Sequence, residues 1–151
     1  KEGDPVDGVI ANTQGTSKYS LVINNGKLNK AFDNKYNFIS MTYHESRHRY
    51  DNSTWGAVLG EVNAILQQTN HKSWGLVSSD FAGSQAGYAV NKLKEAWDDG
   101  ILDNSGVEKY INKLNDAFAG IAIFNYDPTT KSVGRVLMIG EVEKVGSRKK
   151  K

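Results

Sequence analysis

Apolar residues recur every three or four positions in four stretches of the chain, and this spacing is typical of helices that bury one face. The pattern predicts helices over residues 36–50, 55–69, 84–97 and 107–117. The second helix shows it most clearly, because its apolar residues form one stripe: Trp55, Val58, Leu59, Val62, Ile65 and Leu66. We expect Ser105 to cap the fourth helix, since a serine side chain can accept a backbone N–H there.

Shorter stretches rich in β-branched and aromatic residues stand before and after the helices, and this composition is typical of strands. Near the N-terminus, residues 6–11 and 19–23 are predicted strands with a loop at 12–17 between them. Near the C-terminus, residues 120–126 and 133–142 are predicted to form a hairpin around an Asp-Pro turn. The expected fold class is therefore α+β, with a small antiparallel sheet, a packed pair of helices, further helices and a C-terminal hairpin.

At 151 residues the chain has the length of one domain and can bury a single core. We assign residues 1–146 to that domain and the basic residues 147–151 to a tail that we expect to be disordered. The chain has no cysteine, so any metal ion has to be held by histidine and carboxylate. The net charge of +2 is partly carried by the basic tail. The rest of the chain is slightly acidic and lacks the broad basic region that is typical of nucleic-acid-binding proteins. No apolar run reaches the length of a membrane span.

The first helix carries the most specific chemical pattern of the sequence, His44-Glu45-Ser46-Arg47-His48. Residues four positions apart lie on the same face of a helix, so both imidazoles can reach one zinc ion at about 2.0–2.1 Å. Glu45 points about 100° further around the helix, where its carboxylate can take a proton from a zinc-bound water. Phe38, Ile39 and Met41 precede the motif and predict a buried apolar side for this helix. The alternative is a solvated helix face carrying a surface cluster of polar side chains.

Glu61 is the best candidate for a third metal ligand. It lies thirteen residues after His48, a gap that fits a helix, a tight turn and an antiparallel return. The plainer interpretation is a surface glutamate at the edge of the apolar stripe. His71 and Asp51 are the next candidates. His71 lies past the expected end of the second helix, and Asp51 is better placed to orient a ligand imidazole through its second ring nitrogen.

The motif at residues 44–48, followed by Gly60-Glu61-Val62-Asn63-Ala64, resembles the zincin metallopeptidases, and specifically the gluzincins, whose third ligand is a glutamate. The resemblance covers about thirty residues. It implies that His44, His48 and Glu61 are zinc ligands and that Glu45 is the general base. Neither the glycine nor the third histidine of the metzincins follows His48 at their spacing. The chain is also similar to the metallopeptidase toxin domains at the C-termini of bacterial polymorphic toxins, including Rhs-type proteins.

The expected function is zinc-dependent peptide-bond hydrolysis by a secreted bacterial toxin or effector domain. A zinc-bound water activated by Glu45 attacks the peptide carbonyl, and Tyr43 or Tyr88 can donate a hydrogen bond to the oxyanion. The expected partners are a protein or peptide substrate and a cognate immunity protein, with no nucleic acid and no membrane span. The chain begins with Lys1 and shows no signal peptide, so we expect delivery into a target cell as part of a longer polypeptide.

The sequence leaves two other classes of function open. A nuclease-type toxin could use His44 and His48 with Arg47 or Arg49, since the Arg-His-Arg run could bind phosphates. A non-enzymatic binding domain would leave the histidines without a chemical role. Elemental analysis of untagged protein separates these classes, because a zinc peptidase should carry nearly one zinc ion per chain and a binding domain none.

Overall fold

The computed structural model describes residues 11–14, 18–21, 23–24, 27–28, 34–50 and 56–138. Most of this part is helical, in α1 (Lys35–Tyr50), α2 (Gly56–Thr69), α3 (Ser79–Asp98) and α4 (Asn104–Ala117). A short 3-10 helix, Trp74–Leu76, lies between α2 and α3. The helices predicted over 36–50 and 55–69 correspond to α1 and α2, although residue 55 lies outside the described residues. None of the described helices is long and apolar enough to cross a membrane.

The N-termini of α3 and α4 are fixed by side chains that accept backbone N–H groups. Ser78 Oγ accepts from the Phe81 N–H at 3.3 Å, and Asp103 Oδ1 accepts from the Gly106 N–H at 2.7 Å. Such caps satisfy donors that have no partner within the helix. Because Ser78 is the cap, α3 begins five residues before its predicted start. The prediction that Ser105 caps α4 is wrong, since Asp103 takes that position.

The core of the described structure lies among α2, α3 and α4. Within the described residues, the apolar stripe predicted for α2 faces this core: Leu59, Val62 and Ile65 are at most 1% exposed, and Val58 and Leu66 are partly buried. Burying one such side chain stabilises the fold by roughly 1.5–3 kcal/mol. Aromatic contacts extend the core toward the C-terminal hairpin, where the ring of Phe118 meets that of Phe124 edge-on with centroids 5.3 Å apart. One side of α2 therefore packs in the core, and α2 also contacts α1.

Helix α1 contributes little apolar surface to this core. Met41 is its one described residue in the core cluster, whereas Phe38 and Ile39 are 42% and 41% exposed. The predicted apolar side of α1 is therefore wrong. The side that α1 buries is mostly polar and consists of Asn37, Ser40, His44 and Glu45. Polar side chains buried in this way need hydrogen-bond or ligand partners, and these partners are found on neighbouring elements.

Three two-stranded antiparallel ladders complete the described fold: β1 (Ala11–Gln14) with β2 (Lys18–Leu21), β3 (Ile23–Asn24) with β4 (Lys27–Leu28), and β5 (Ala122–Asp127) with β6 (Ser132–Leu137). The loop predicted at 12–17 is wrong over 12–14, because these residues pair with 18–20. The predicted strand segments 6–10 and 139–142 lie outside the described residues. Helices and antiparallel strands together confirm the predicted α+β class.

The predicted C-terminal hairpin is present as β5 and β6, and it packs on α3 and α4. Asn115 on α4 pairs with both backbone groups of Phe124. Its Nδ2 donates to the carbonyl oxygen at 3.1 Å, and its Oδ1 accepts from the N–H at 2.7 Å. In β6, Leu137 contacts α3 at Gly83, where an added Cβ would lie 3.3 Å from Leu137 Cδ1. The hairpin is thus attached to two helices of the core.

Candidate metal centre

Helices α1 and α2 bring three metal-ligating side chains together. His44 and His48 lie one turn apart on α1, and Glu61 lies on α2. The Nε2 atoms of the two histidines are 3.2 Å apart. Glu61 reaches both rings, with Oε2 3.2 Å from His44 Nε2 and Oε1 3.4 Å from His48 Nε2. The three residues singled out in the sequence therefore converge on one point.

These distances fit a zinc ion. Ligand atoms on a tetrahedral zinc at 2.0–2.1 Å lie about 3.4 Å from one another. The group of His44, His48 and Glu61 offers three ligand atoms that all lie within 4.8 Å of one another, and the close contacts are 3.2–3.4 Å. Imidazole nitrogens and a carboxylate oxygen also form a donor set that zinc commonly accepts. The residues present can therefore hold a metal ion through three protein ligands.

The three side chains differ in their access to solvent. The His44 side chain is 5% exposed, while those of His48 and Glu61 are 23% and 26% exposed. The site is thus closed on the side of His44 and open on the side of the other two residues.

The carboxylate of Glu61 stays ionised well below neutral pH. Burial raises its pKa, but hydrogen bonds to His44 and His48 and the positive charges of these rings lower it by more, so the pKa lies far below the usual 4.5. The Glu61 carboxylate is therefore available as an anionic ligand at neutral pH.

Tyr88 on α3 and Glu45 on α1 lie in the electrostatic neighbourhood of these ligands. Burial raises the pKa of the Tyr88 phenol, and the negative charges of Glu61 and Glu45 raise it further. The phenol therefore keeps its proton and remains a hydrogen-bond donor. Glu45 itself is buried, with 6% of its surface exposed. Two carboxylates and a neutral phenol thus share this region with the two histidines.

Two residues behind His44 were not predicted from the sequence: Gln68 contacts the His44 ring, and Ser40 contacts Gln68. Gln68 Oε1 lies 3.2 Å from His44 Nδ1, and Gln68 Nε2 donates to Ser40 Oγ at 2.9 Å. Gln68 and Ser40 are both fully buried. Gln68 lies two turns after Glu61 on α2 and Ser40 one turn before His44 on α1, but this spacing alone does not distinguish them from other polar helix residues.

The family of the chain follows from a comparison with known families. Residues 6–122 match the family model described as metallopeptidase toxin 2. The chain belongs to this family. The match spans α1, α2 and α3, and therefore every described residue of the metal centre. No curated protein and no solved structure matched the chain significantly.

Membership in the metallopeptidase toxin 2 family supports a peptidase toxin function in general terms and implies a metal ion. It also agrees with the resemblance to metallopeptidase toxin domains that the motif indicated. A toxin family further suggests action in a target cell and a protein substrate. Within the described residues, His44, His48 and Glu61 form the group that could hold the metal ion.

The other residues considered from the sequence lie elsewhere or outside the described structure. The His71 ring stacks on Tyr43 with centroids 4.4 Å apart, and His71 Nδ1 bonds to Ser73 Oγ at 2.8 Å. The Arg47 guanidinium lies over the Tyr43 ring, 5.5 Å from its centroid. Asp51 lies outside the described residues. In the metallopeptidase toxin, His71 is therefore part of a separate aromatic stack and not of the His44–His48–Glu61 group.

Proposed function

We propose that this metallopeptidase toxin hydrolyses peptide bonds with a zinc ion held by His44, His48 and Glu61, the ligand set of the gluzincins. The observation that carries the proposal is the convergence of the two imidazole Nε2 atoms and the Glu61 carboxylate, which lie 3.2–3.4 Å from one another. When bound, zinc lowers the pKa of a coordinated water to about 7 and polarises a carbonyl oxygen. The protein supplies proton transfer, orientation and exclusion of solvent.

Glu45 is the proposed general base. It directly follows His44 on α1, so its carboxylate is offset by about 100° from the ligand face and is not itself a ligand. One of its oxygens accepts the proton of the attacking water and later delivers it to the amine nitrogen that leaves. The buried position of Glu45 keeps competing solvent away from this carboxylate.

Tyr88 is the proposed donor to the carbonyl oxygen of the substrate. Its phenol keeps its proton because burial and the nearby carboxylates Glu61 and Glu45 raise its pKa. Tyr88 is 39% exposed, and its hydroxyl interacts with the Glu61 carboxylate, which puts it beside the proposed metal ligands. A neutral donor aimed at the oxygen stabilises negative charge as the carbonyl becomes tetrahedral.

The peptidase proposal accounts for the neighbouring residues better than a nuclease does. A nuclease built on this motif needs Arg47 or Arg49 beside the histidines to bind phosphate. The Arg47 guanidinium instead lies over the Tyr43 ring, and the Arg49 side chain lies outside the described residues. The family match favours a protein substrate as well.

A Glu45→Gln substitution tests the proposal because it separates chemistry from metal binding. The amide keeps the volume and much of the polarity of the carboxylate but cannot accept the proton. Peptide hydrolysis should fall by roughly 10²–10⁴-fold, and expression of the variant inside a cell should be harmless where the parent is toxic. Zinc content, measured on the same preparation, should stay near one ion per chain.

Glu108→Gln is a matched control, because Glu108 is an exposed glutamate on α4. This variant should keep full hydrolysis and full toxicity. Undiminished hydrolysis by the Glu45→Gln protein would contradict the proposed mechanism, whatever its zinc content.

A further inference from the structure

The contact between α1 and α2 continues behind the metal centre as a buried hydrogen-bonded chain. It runs from His44 Nδ1 through the amide of Gln68 to the hydroxyl of Ser40, over 3.2 and 2.9 Å. Gln68 and Ser40 have no exposed surface, and His44 is 4% exposed. Water therefore does not compete for these bonds, and the partners depend on one another.

The orientation of the Gln68 amide determines what His44 can do. Its NH₂ group donates to Ser40 Oγ, which turns the carbonyl oxygen Oε1 toward His44 Nδ1. A carbonyl oxygen only accepts, so Nδ1 has to carry a proton. The lone pair of the ring then lies on Nε2, the atom that faces His48 and Glu61. With the amide reversed, Nδ1 would become the acceptor and the proton would move to Nε2, where it opposes metal binding.

We infer that Gln68 is a positioning residue of the metal centre. Its carbonyl oxygen holds the Nδ1–H of His44, and thereby presents Nε2 to the metal ion in a fixed orientation; Ser40 in turn fixes the amide. Partners on the second nitrogen of a ligand histidine orient the ring and strengthen metal binding. This inference rests on the proposed function, since it takes His44 to be a metal ligand.

Three substitutions at position 68 and nearby test this role through metal affinity, measured by competition with a chromophoric chelator. Gln68→Leu keeps most of the volume but has no acceptor, so zinc affinity should fall about 10–100-fold. Gln68→Glu keeps an acceptor oxygen toward His44 and a second one for the Ser40 hydroxyl, so affinity should equal or exceed that of the parent. Gln67→Leu, one residue earlier on α2, is the matched control and should leave affinity unchanged.

Stability of the metal-free proteins distinguishes positioning from a merely structural role. A buried carboxylate at position 68 costs stability when no metal ion is present. The positioning role therefore predicts opposite changes for Gln68→Glu, with lower metal-free stability and retained or tighter zinc binding. If Gln68 only fills space, Gln68→Glu should lose both stability and affinity, and Gln68→Leu should lose neither. That result would overturn the inference.

Proton NMR of the zinc-loaded proteins gives a second measurement. The His44 Nδ1–H proton should exchange slowly with water in the parent and in Gln68→Glu, and rapidly in Gln68→Leu. If Gln68→Leu does not fold, Ser40→Ala provides the test, because it frees the amide without touching His44; it should speed this exchange and weaken zinc binding several-fold. Slow exchange and parental affinity in Gln68→Leu, or in Ser40→Ala where Gln68→Leu does not fold, would overturn the inference.

The two proposals can fail separately. If the variants show the expected order of zinc affinities but the parent protein cleaves no peptide, the proposed function is contradicted and the role of Gln68 stands. Zinc-dependent peptide cleavage with equal zinc affinity in the parent and Gln68→Leu would contradict only the role of Gln68.

Discussion

His44, His48 and Glu61 each offer one donor atom to the same point, so the loss of any one leaves a two-residue site. Alanine at any of these positions should therefore reduce bound zinc from nearly one ion per chain to a small fraction, because three-ligand sites depend on every ligand. Elemental analysis after gel filtration measures this.

His71→Ala serves as the control for the ligand substitutions, since the His71 ring stacks on Tyr43 and is not part of the group. This protein should keep its zinc. Full zinc occupancy in Glu61→Ala would show that the third ligand is another residue.

Tyr88 differs from the ligands because its proposed contribution is made only during the reaction. Tyr88→Phe removes the hydroxyl and keeps the ring, so hydrolysis should fall by roughly 10²-fold while zinc content stays constant. Since burial, Glu61 and Glu45 all raise its pKa, the phenol remains protonated in ordinary assays. The loss caused by the substitution should therefore be the same at about pH 7 and about pH 9.

Tyr126→Phe, in the C-terminal hairpin, is the matched control for Tyr88→Phe and should hydrolyse at the parental rate. Equal rates for Tyr88→Phe and the parent protein would assign the oxyanion donor to another group.

A site residue can be predicted from the sequence when its type and spacing form a recognisable chemical motif. The spacing of His44, Glu45 and His48 is visible in the sequence, and Glu61 becomes a candidate once α2 is expected to return along α1. Gln68 has no such pattern, because a glutamine on a helix is ordinary. Its role appears only when the relative register of α1 and α2 is known, and local sequence does not fix that register.

At the scale of elements, α2, α3 and α4 were predictable from apolar spacing and α1 from its motif, while the ends of the helices were less predictable. α3 begins at Ser79 because Ser78 caps it, yet its first turns carry few apolar residues and Ser84 is an equally good cap by type. The error for α1 has another cause. Its buried side is polar, and a polar helix face looks exposed until its partners are known.

The attachment of the C-terminal hairpin to α4 gives a prediction at the same scale. Asn115 satisfies both backbone groups of Phe124, a residue that is 2% exposed. Asn115→Ala leaves these groups without this partner, which should lower the free energy of unfolding by about 1–3 kcal/mol. Urea denaturation measures this change.

Asn112→Ala on the exposed side of α4 is the control for Asn115→Ala, and its effect should stay within about 0.5 kcal/mol. Equal stability of the two variants would show that the Asn115 contacts are not needed to hold β5.

For the whole molecule, the candidate metal centre is one of the links that hold α1 to the rest of the described structure. Met41 is the described residue of α1 in the core cluster. Further links include polar ones: Asn37 pairs with Ser78 through two bonds of 2.9 Å, and Ser40 bonds with Gln68 at the same distance. The Tyr43 ring also stacks on His71. A helix held by polar links and a ligand site should open at a lower free energy than the apolar core. The site that we propose to carry the chemistry therefore also helps to hold α1 in place.

Removal of the metal ion should consequently loosen α1 before it affects α4. A ligand present at 100 times its Kd stabilises the folded state by about 2.7 kcal/mol, so chelation should lower Tm by about 5–10 °C. Hydrogen exchange should show faster exchange of α1 amides after chelation, with α4 amides unchanged. The Glu61→Ala protein, which lacks a ligand, should show the same Tm and the same α1 exchange with and without chelator. Equal protection of α1 in zinc-loaded and chelated parent protein would mean that polar contacts alone hold this helix, and that the metal ion serves only the reaction.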